Sequence, residues 1–261
     1  MQTVQDYLKS GAIDIAPLLS LVLEKSNTEL YAQSDYTLNT KQQERLSSFI
    51  KQREQGMPFA YLSGKKGFYH LDFKVTKDTL IPRPETELLI DITLNLFKKN
   101  QKHTVLDLGT GSGVIAVTLA DINPRWKISA TDFSQAALNV AKKNATTNIS
   151  FSQGSWFEAV PNQTFDLVIS NPPYIEEGDT YLDDLTHEPQ TALTAGEDGL
   201  DDIRIIINNA PEYLNKEGYL LLEHGFDQQE KIVNLLSEKF HNIKIFKDYN
   251  NNDRAVIAQI K

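Results

Sequence analysis

The chain contains no cysteine, only five histidines and no apolar run near the thickness of a bilayer. Without cysteine, a disulfide scaffold, a thiolate zinc site and a cysteine nucleophile are all excluded. The histidines are scattered, with no H-x-x-x-H pair, so no metal site is expected. No segment approaches the roughly 18 apolar residues that span a membrane. The opening stretch to Gly11 carries Gln2, Gln5 and Asp6 and lacks the basic-then-apolar pattern of a secretion signal. A cytoplasmic protein without membrane association is therefore expected. Positive charge is also short: 26 Lys+Arg stand against 35 Asp+Glu, for a net charge of −9. That balance argues against the broad cationic surface of a tight, non-specific nucleic-acid binder, although one local basic cleft stays compatible with it.

What is present is an ordinary globular composition, 40% hydrophobic and 23% charged over 261 residues. The length suits one large domain, or one ordinary domain with a small one, and is ample for a core. Residues 1–60 read as helices: Thr3 to Lys9, Pro17 to Lys25, and a longer one capped by Asn39 or Thr40 that runs to about Gln55, with Leu46, Phe49 and Ile50 on one face. Pro58 restarts a short helix through Tyr61, and Gly67 to Val75 alternates as a hairpin would. Pro84, Glu85 and Glu87 suit the first turn of a helix reaching about Lys99.

From residue 103 strands and helices alternate. Strands are expected at Thr104–Leu108, Lys127–Thr131, Ser150–Gln153, Phe165–Ser170, Gly218–Glu223, Ile243–Lys247 and Ala255–Ile260, with helices at Val114–Asp121, Ser134–Asn144 and Asp201–Leu214. Repeated β-α units imply an α/β fold with a doubly wound, mostly parallel sheet of seven strands, its last two strands forming an antiparallel hairpin across the Asn-rich turn Tyr249 to Asp253. The domain division expected is 1–75 for a helical module with its hairpin linker, and 76–261 for the α/β domain.

Between the first strand and its helix lies Gly109-Thr110-Gly111-Ser112-Gly113. Glycines allow a sharp turn and close approach of backbone to a ligand, and the helix that follows offers unpaired N–H groups. Gly111-x-Gly113-x-x-Ala116 also satisfies the dinucleotide pattern, with Asp132 near the expected distance. Two features point elsewhere: Asp107 closes the first strand, where it could meet a cationic ligand group, and the strongest motif lies after the fourth strand, which hydride transfer does not need. Asp132 ends the second strand, where a carboxylate can accept from both hydroxyls of a ribose; it could equally cap the helix at Ser134.

That strongest motif is Asn171-Pro172-Pro173-Tyr174, at the carboxyl end of Phe165–Ser170. Two prolines fix the backbone and remove two donors. The Pro172 carbonyl and the Asn171 side-chain oxygen then form an acceptor pair in one rigid corner, and Tyr174 can stack on a flat π-system. The group this suits is a planar –NH₂: a carboxamide, or the exocyclic amine of adenine or cytosine. Such a nitrogen is a poor nucleophile because its lone pair is delocalised. Acceptors on both N–H bonds favour the transition state, in which nitrogen gains positive charge.

Taken together these residues resemble a class I S-adenosylmethionine-dependent methyltransferase of the amino-methylating kind. More narrowly, the chain resembles the HemK/PrmC family of protein-(glutamine-N5) methyltransferases. The resemblance runs through Pro58–Gly64, Leu80-Ile81-Pro82-Arg83-Pro84-Glu85-Thr86-Glu87, Leu106–Gly113, Gly154-Ser155-Trp156-Phe157, Ser170–Ile175, Glu188-Pro189, Ala195-Gly196-Glu197-Asp198-Gly199-Leu200 and Leu222-Glu223-His224-Gly225. It implies S-adenosyl-L-methionine as cofactor, with Gly109, Thr110, Gly111, Ser112 and Gly113 around its methionine part, Asp132 on the ribose and Trp156 against the adenine. Asn171 and Pro172 would hold the substrate amide, with Pro173 and Tyr174 packing on it; Asn171, Pro172 and Tyr174 are thus the catalytic candidates. The substrate implied is the glutamine of the Gly-Gly-Gln tip of class I peptide chain release factors, in translation termination, with the N-terminal helices as the docking module. A ribosomal-protein glutamine and adenine N6 of nucleic acid are the alternatives; direct nucleic-acid binding is not expected. The resemblance leaves the roles of Arg83 and Glu85 open, and Glu188 reads as a surface loop carboxylate. His224 reads as structural. The stretch Tyr249 to Arg254, which departs from the family pattern, reads as a hairpin far from the chemistry.

Overall fold

The computed structural model describes residues 2–98 and 101–261, which form two compact units, Met1–Gly64 and Lys65–Lys261. In the first, the helices are α1 (Val4–Leu8), α2 (Ile15–Leu23), α3 (Asn27–Ala32), α4 (Thr40–Glu54) and α5 (Phe59–Ser63). Three of them start with reciprocal caps, Thr3 with Asp6, Ser26 with Glu29 and Asn39 with Gln42, each pair satisfying two backbone donors that the helix leaves free. α2 begins at Ile15, two residues before the expected Pro17, which still falls in the first turn where its missing N–H costs nothing. α3 was not expected, although its Ser26…Glu29 capping pair stands in the sequence. Leu18, Leu19, Leu30 and Leu46 are fully buried at the centre of this unit, with Phe49 and Ile50 packed against them.

The second unit opens with the antiparallel hairpin β1 (Lys65–Phe68) and β2 (Leu71–Lys74). The expected division after residue 75 gave this hairpin to the helical module, whereas the units divide at Gly64. The reason is its aromatic pair: Phe68 and Phe73 meet edge-on, 6.0 Å between ring centres, and are buried with Leu89 and Val114 in the core of the larger unit. A 3-10 turn, Pro84–Thr86, leads into α6 (Glu87–Leu96). Its expected end at Lys99 lies outside the described residues; the helix ends at Leu96.

The sheet then follows: β3 (Thr104–Leu108), α7 (Val114–Ile122), β4 (Lys127–Asp132), α8 (Gln135–Asn144), β5 (Ser150–Gln153), β6 (Phe165–Ser170), α9 (Asp201–Asn209), β7 (Leu214–Glu223), α10 (Gln229–Ser237), β8 (Phe240–Lys247) and β9 (Asp253–Ile260). Strand order is β5-β4-β3-β6-β7-β9-β8, parallel from β5 to β7 and antiparallel at β9 and β8. α9 stops at Asn209 rather than Leu214 because Pro211 cannot donate in a continuing helix; a 3-10 turn follows. α10 was not expected. Side chains of β3 alternate between two cores: Val105 joins α6 and α7 on one face, while Leu106 and Leu108 join α9 and α10 on the other. The chain leaves β3 towards β4 on one side and is flanked by β6 on the other, so the carboxyl ends of β3 and β6 border the crevice where such sheets take ligands.

Leu46→Ala should destabilise the helical unit by about 2–5 kcal/mol. Hydrogen exchange at the α2 and α4 amides would then accelerate while exchange in β3 and β6 stays unchanged.

Candidate active site

The glycine loop takes left-handed backbone at Gly109, Gly111 and Gly113. At Gly113 the need for glycine is also steric, since a Cβ there would stand 3.1 Å from that of Ala141 in α8. Asp107, expected to face a ligand, is instead 1% exposed and works inside the protein. Its Oδ2 accepts from the Thr110 hydroxyl at 2.6 Å and from the Ala116 N–H at 3.1 Å. It thereby caps α7 from within the strand and takes one of the donors expected for the ligand. Burial pushes its pKa up to about 7, against the pull of those two hydrogen bonds.

Asp132, at the end of β4, holds the loop from the other side. Its Oδ2 accepts from Gly111 N–H at 2.8 Å and its Oδ1 from Ser134 N–H at 2.8 Å, while Ser134 itself caps α8. Each carboxylate oxygen retains a lone pair, and the residue lines a cavity of about 440 Å³ with the loop, Trp156 and Asn171. Trp156 lies over the loop, its ring 3.4 Å from where a Gly109 Cβ would be, and its side chain adjoins Asp202. Phe133, 74% exposed, stands at the lip. No sequence pattern marks Asp202, and Phe133 is legible only as the neighbour of Asp132.

Asn171 stands where this cavity meets a second, of about 580 Å³; Leu80, Arg83 and Ala192 line both as well. Its Nδ2 donates to the hydroxyl of Thr86 at 3.0 Å. In this arrangement the nitrogen is held and Oδ1 is left as an acceptor. Ser170 ties the end of β6 to β3 through its hydroxyl and the Leu108 carbonyl, 2.7 Å apart. Beyond the prolines, the Tyr174 and Ile175 N–H groups donate to the Leu193 carbonyl. The Tyr174 hydroxyl donates to Glu223 Oε1 at 3.2 Å, and burial followed by the Glu223 charge pushes the phenol pKa up.

The segments that surround this corner have definite work. Gly199 passes so close that a Cβ would lie 2.3 Å from the Tyr174 carbonyl oxygen, and Gln228 Nε2 donates to the same oxygen at 2.9 Å. Glu188, expected at the surface, is 5% exposed: Oε2 accepts from Ile81 N–H at 2.8 Å and Oε1 pairs with Arg83. Glu85 lines the second cavity. So does Arg254, which also donates to the His224 carbonyl and pairs with Asp248. The closing hairpin is thus part of the cavity wall rather than far from it. His224 is buried, with Nδ1 bonded to the Gly225 carbonyl, and burial holds its pKa down. Among the described residues no group of three or more His, Cys, Asp or Glu could hold a metal, and no helix is long and apolar enough to cross a membrane.

Glu188→Ala would leave the buried Ile81 N–H without its acceptor, and destabilisation of about 1–3 kcal/mol is expected. Glu188→Gln keeps an acceptor for Ile81 and should lose less, as measured by urea unfolding of both variants.

Comparison with known proteins gives this geometry a family. Residues 86–252 match the Methyltransferase small domain family and residues 5–64 match the PrmC N-terminal domain. A protein of Coxiella burnetii named release factor glutamine methyltransferase is 44% identical over 99% of this chain and 95% of its own length. One of the same name from Shewanella oneidensis is 40% identical over 96% of this chain and 90% of its own. The solved methyltransferase of Pyrococcus furiosus shares the fold with a TM-score of 0.54 at 19% identity, covering 83% of this chain and 98% of that one. The fold is that of class I methyltransferases, and the chain belongs to the release factor glutamine methyltransferase family.

Proposed function

We propose that this protein transfers a methyl group from S-adenosyl-L-methionine to the side-chain amide nitrogen of the glutamine in the Gly-Gly-Gln motif of class I peptide chain release factors. The observation that carries this reading is the Asn171 side chain at the meeting of two cavities, with its nitrogen tied to Thr86 and its oxygen left to accept. The first cavity fits the cofactor: open space lies beside Gly111, Asp132 keeps lone pairs for two ribose hydroxyls, and Trp156 presents a ring for adenine. When bound, the cofactor supplies an electrophilic methyl group.

Gly109 to Gly113 would wrap its methionine part, and Phe133 beside Asp132 offers a further aromatic face. In the second cavity, Asn171 Oδ1 and the Pro172 carbonyl would accept the two N–H bonds of the substrate amide, with Pro173 and Tyr174 packed against it. These acceptors stabilise positive charge as it grows on nitrogen. No strong base has to stand in the site, because the alkylated nitrogen readily gives its proton to solvent; buried, neutral His224 accords with that. The helical unit, matched by the PrmC N-terminal domain, is the proposed docking module, and the setting is cytoplasmic. The net charge of −9 weighs against nucleic-acid adenine as acceptor.

Labelled S-adenosylmethionine should mark a purified class I release factor and leave its Gly-Gly-Gln to Gly-Gly-Ala variant unmarked, and Asn171→Ala should abolish transfer. Equal labelling of both factors would move the target elsewhere. Gly199→Ala, by displacing the Tyr174 backbone, should cut the rate about a hundredfold, with cofactor binding measured by calorimetry retained.

A further inference from the structure

The second cavity carries more negative charge than its own cations answer. Two cations line it, and both are spent: Arg83 pairs with Glu188, while Arg254 pairs with Asp248 and donates to the His224 carbonyl. The acids Glu85, Glu176, Asp179 and Asp227 line it too, and none has an ion-pair partner among the described residues. Glu176, Asp179 and Asp227 are exposed. Asp179 uses Oδ1 to accept the Tyr181 N–H at 2.8 Å and keeps its other oxygen. Tyr181 and Phe226, 60% and 65% exposed, complete the rim beside these acids. Their ring faces add to the attraction for a cation. A phosphate backbone would be repelled here and a basic peptide drawn in.

A second, independent observation lies deeper in the same cavity. Glu223 lines it from the end of β7 and is 1% exposed. Its Oε1 takes the Tyr174 hydroxyl at 3.2 Å, but its Oε2 is buried with no hydrogen-bond partner among the described residues. A buried acceptor left unmatched costs free energy, and native structures seldom leave one so. A donor that arrives with the substrate removes the cost. There is room for it: about 580 Å³ is a volume that takes a drug-sized molecule, more than one glutamine side chain.

We propose that the second cavity is a site for a basic peptide segment, in which a lysine or arginine close to the acceptor glutamine donates to Glu223 and further cations meet Glu176, Asp179 and Asp227 at the rim. The inference rests on the reading of this cavity as the substrate side and names the chemistry of the residues around the glutamine. Charge in the flanks of the Gly-Gly-Gln motif thus becomes part of what the protein selects, and Glu223 a specificity-determining residue.

The experiment uses the full chain loaded with S-adenosylhomocysteine. Fluorescent Gly-Gly-Gln peptides whose flanks carry lysine, acetyl-lysine or glutamate are titrated by anisotropy. Affinity should fall in that order, with lysine preferred over glutamate by about a hundredfold at low salt and by less as salt rises. Glu176→Gln, Asp179→Asn and Asp227→Asn together should weaken the lysine peptide about tenfold; asparagine at 179 still offers an acceptor to Tyr181. Asp227→Lys should move the preference toward the glutamate peptide, a change that lost packing would not produce. Glu223→Gln should narrow the gap between lysine and acetyl-lysine, and that ratio cancels any loss through Tyr174 common to both peptides. Equal affinity for the three peptides, or binding of none, would overturn the proposal, as would a preference indifferent to Asp227→Lys. A lysine to acetyl-lysine gap untouched by Glu223→Gln would overturn the assignment of Glu223. Methyl transfer from S-adenosylmethionine to the same peptides separates the two readings. Basic peptides that bind with this preference and gain no methyl group would overturn the methylation reading and leave the basic-peptide site standing.

Discussion

A side-chain amide can be turned over at almost no steric cost, so its usefulness as an acceptor depends entirely on what holds its nitrogen. In this protein the holder is the Thr86 hydroxyl, placed by the 3-10 turn Pro84–Thr86, and much of the surrounding architecture keeps that turn and the Asn-Pro-Pro-Tyr corner in register. Glu188 tethers the segment at Ile81 and Arg83, Gly199 and Gln228 fix the backbone of Tyr174, and Ser170 ties the end of β6 to β3. Residues more than a hundred positions apart in the chain meet here because the sheet order brings the carboxyl ends of β3, β6 and β7 side by side.

The arrangement of polar groups follows the cost of burial. Asp107, Glu188 and Glu223 are all nearly inaccessible to water, and each engages a hydroxyl, a backbone N–H or a guanidinium. Buried carboxylates need such partners. Asp107 spends its capacity on the glycine loop and the start of α7, whereas Asp132, at the edge of the same loop, lines the cavity.

The alternation of strand and helix was legible from residue 103 because each β-α unit carries its own periodicity and punctuation. Seven strands fall where the runs of apolar residues put them, with β7 and β8 each starting several residues early. The glycine loop, Asp132 and Asn171 could be picked out because each is a local pattern at a strand end, whereas Trp156 came only from the family resemblance. What the sequence did not reveal depends on partners distant in the chain. Glu188 reads as an ordinary loop acid until Arg83 is brought beside it, and Asp107 as a ligand contact until Thr110 folds back over it. The hairpin of Phe68 and Phe73 reads as a linker until its aromatic pair is seen in the larger core. α10 was missed although Ile232 and Leu236 are buried on one face of it, because no side-chain cap marks its start at Gln228.

The order of the last two strands bears on how the molecule assembles. β9 lies between β7 and β8, so β8 touches the sheet only through a strand synthesised after it. β8 and β9, joined by a short turn, can zip together as a local hairpin, but β8 cannot dock on β7 alone. The Arg254 wall of the second cavity arrives with that hairpin. A chain still emerging from the ribosome can therefore build its glycine loop and first cavity while the second stands open, and it completes the second only when β9 slides home.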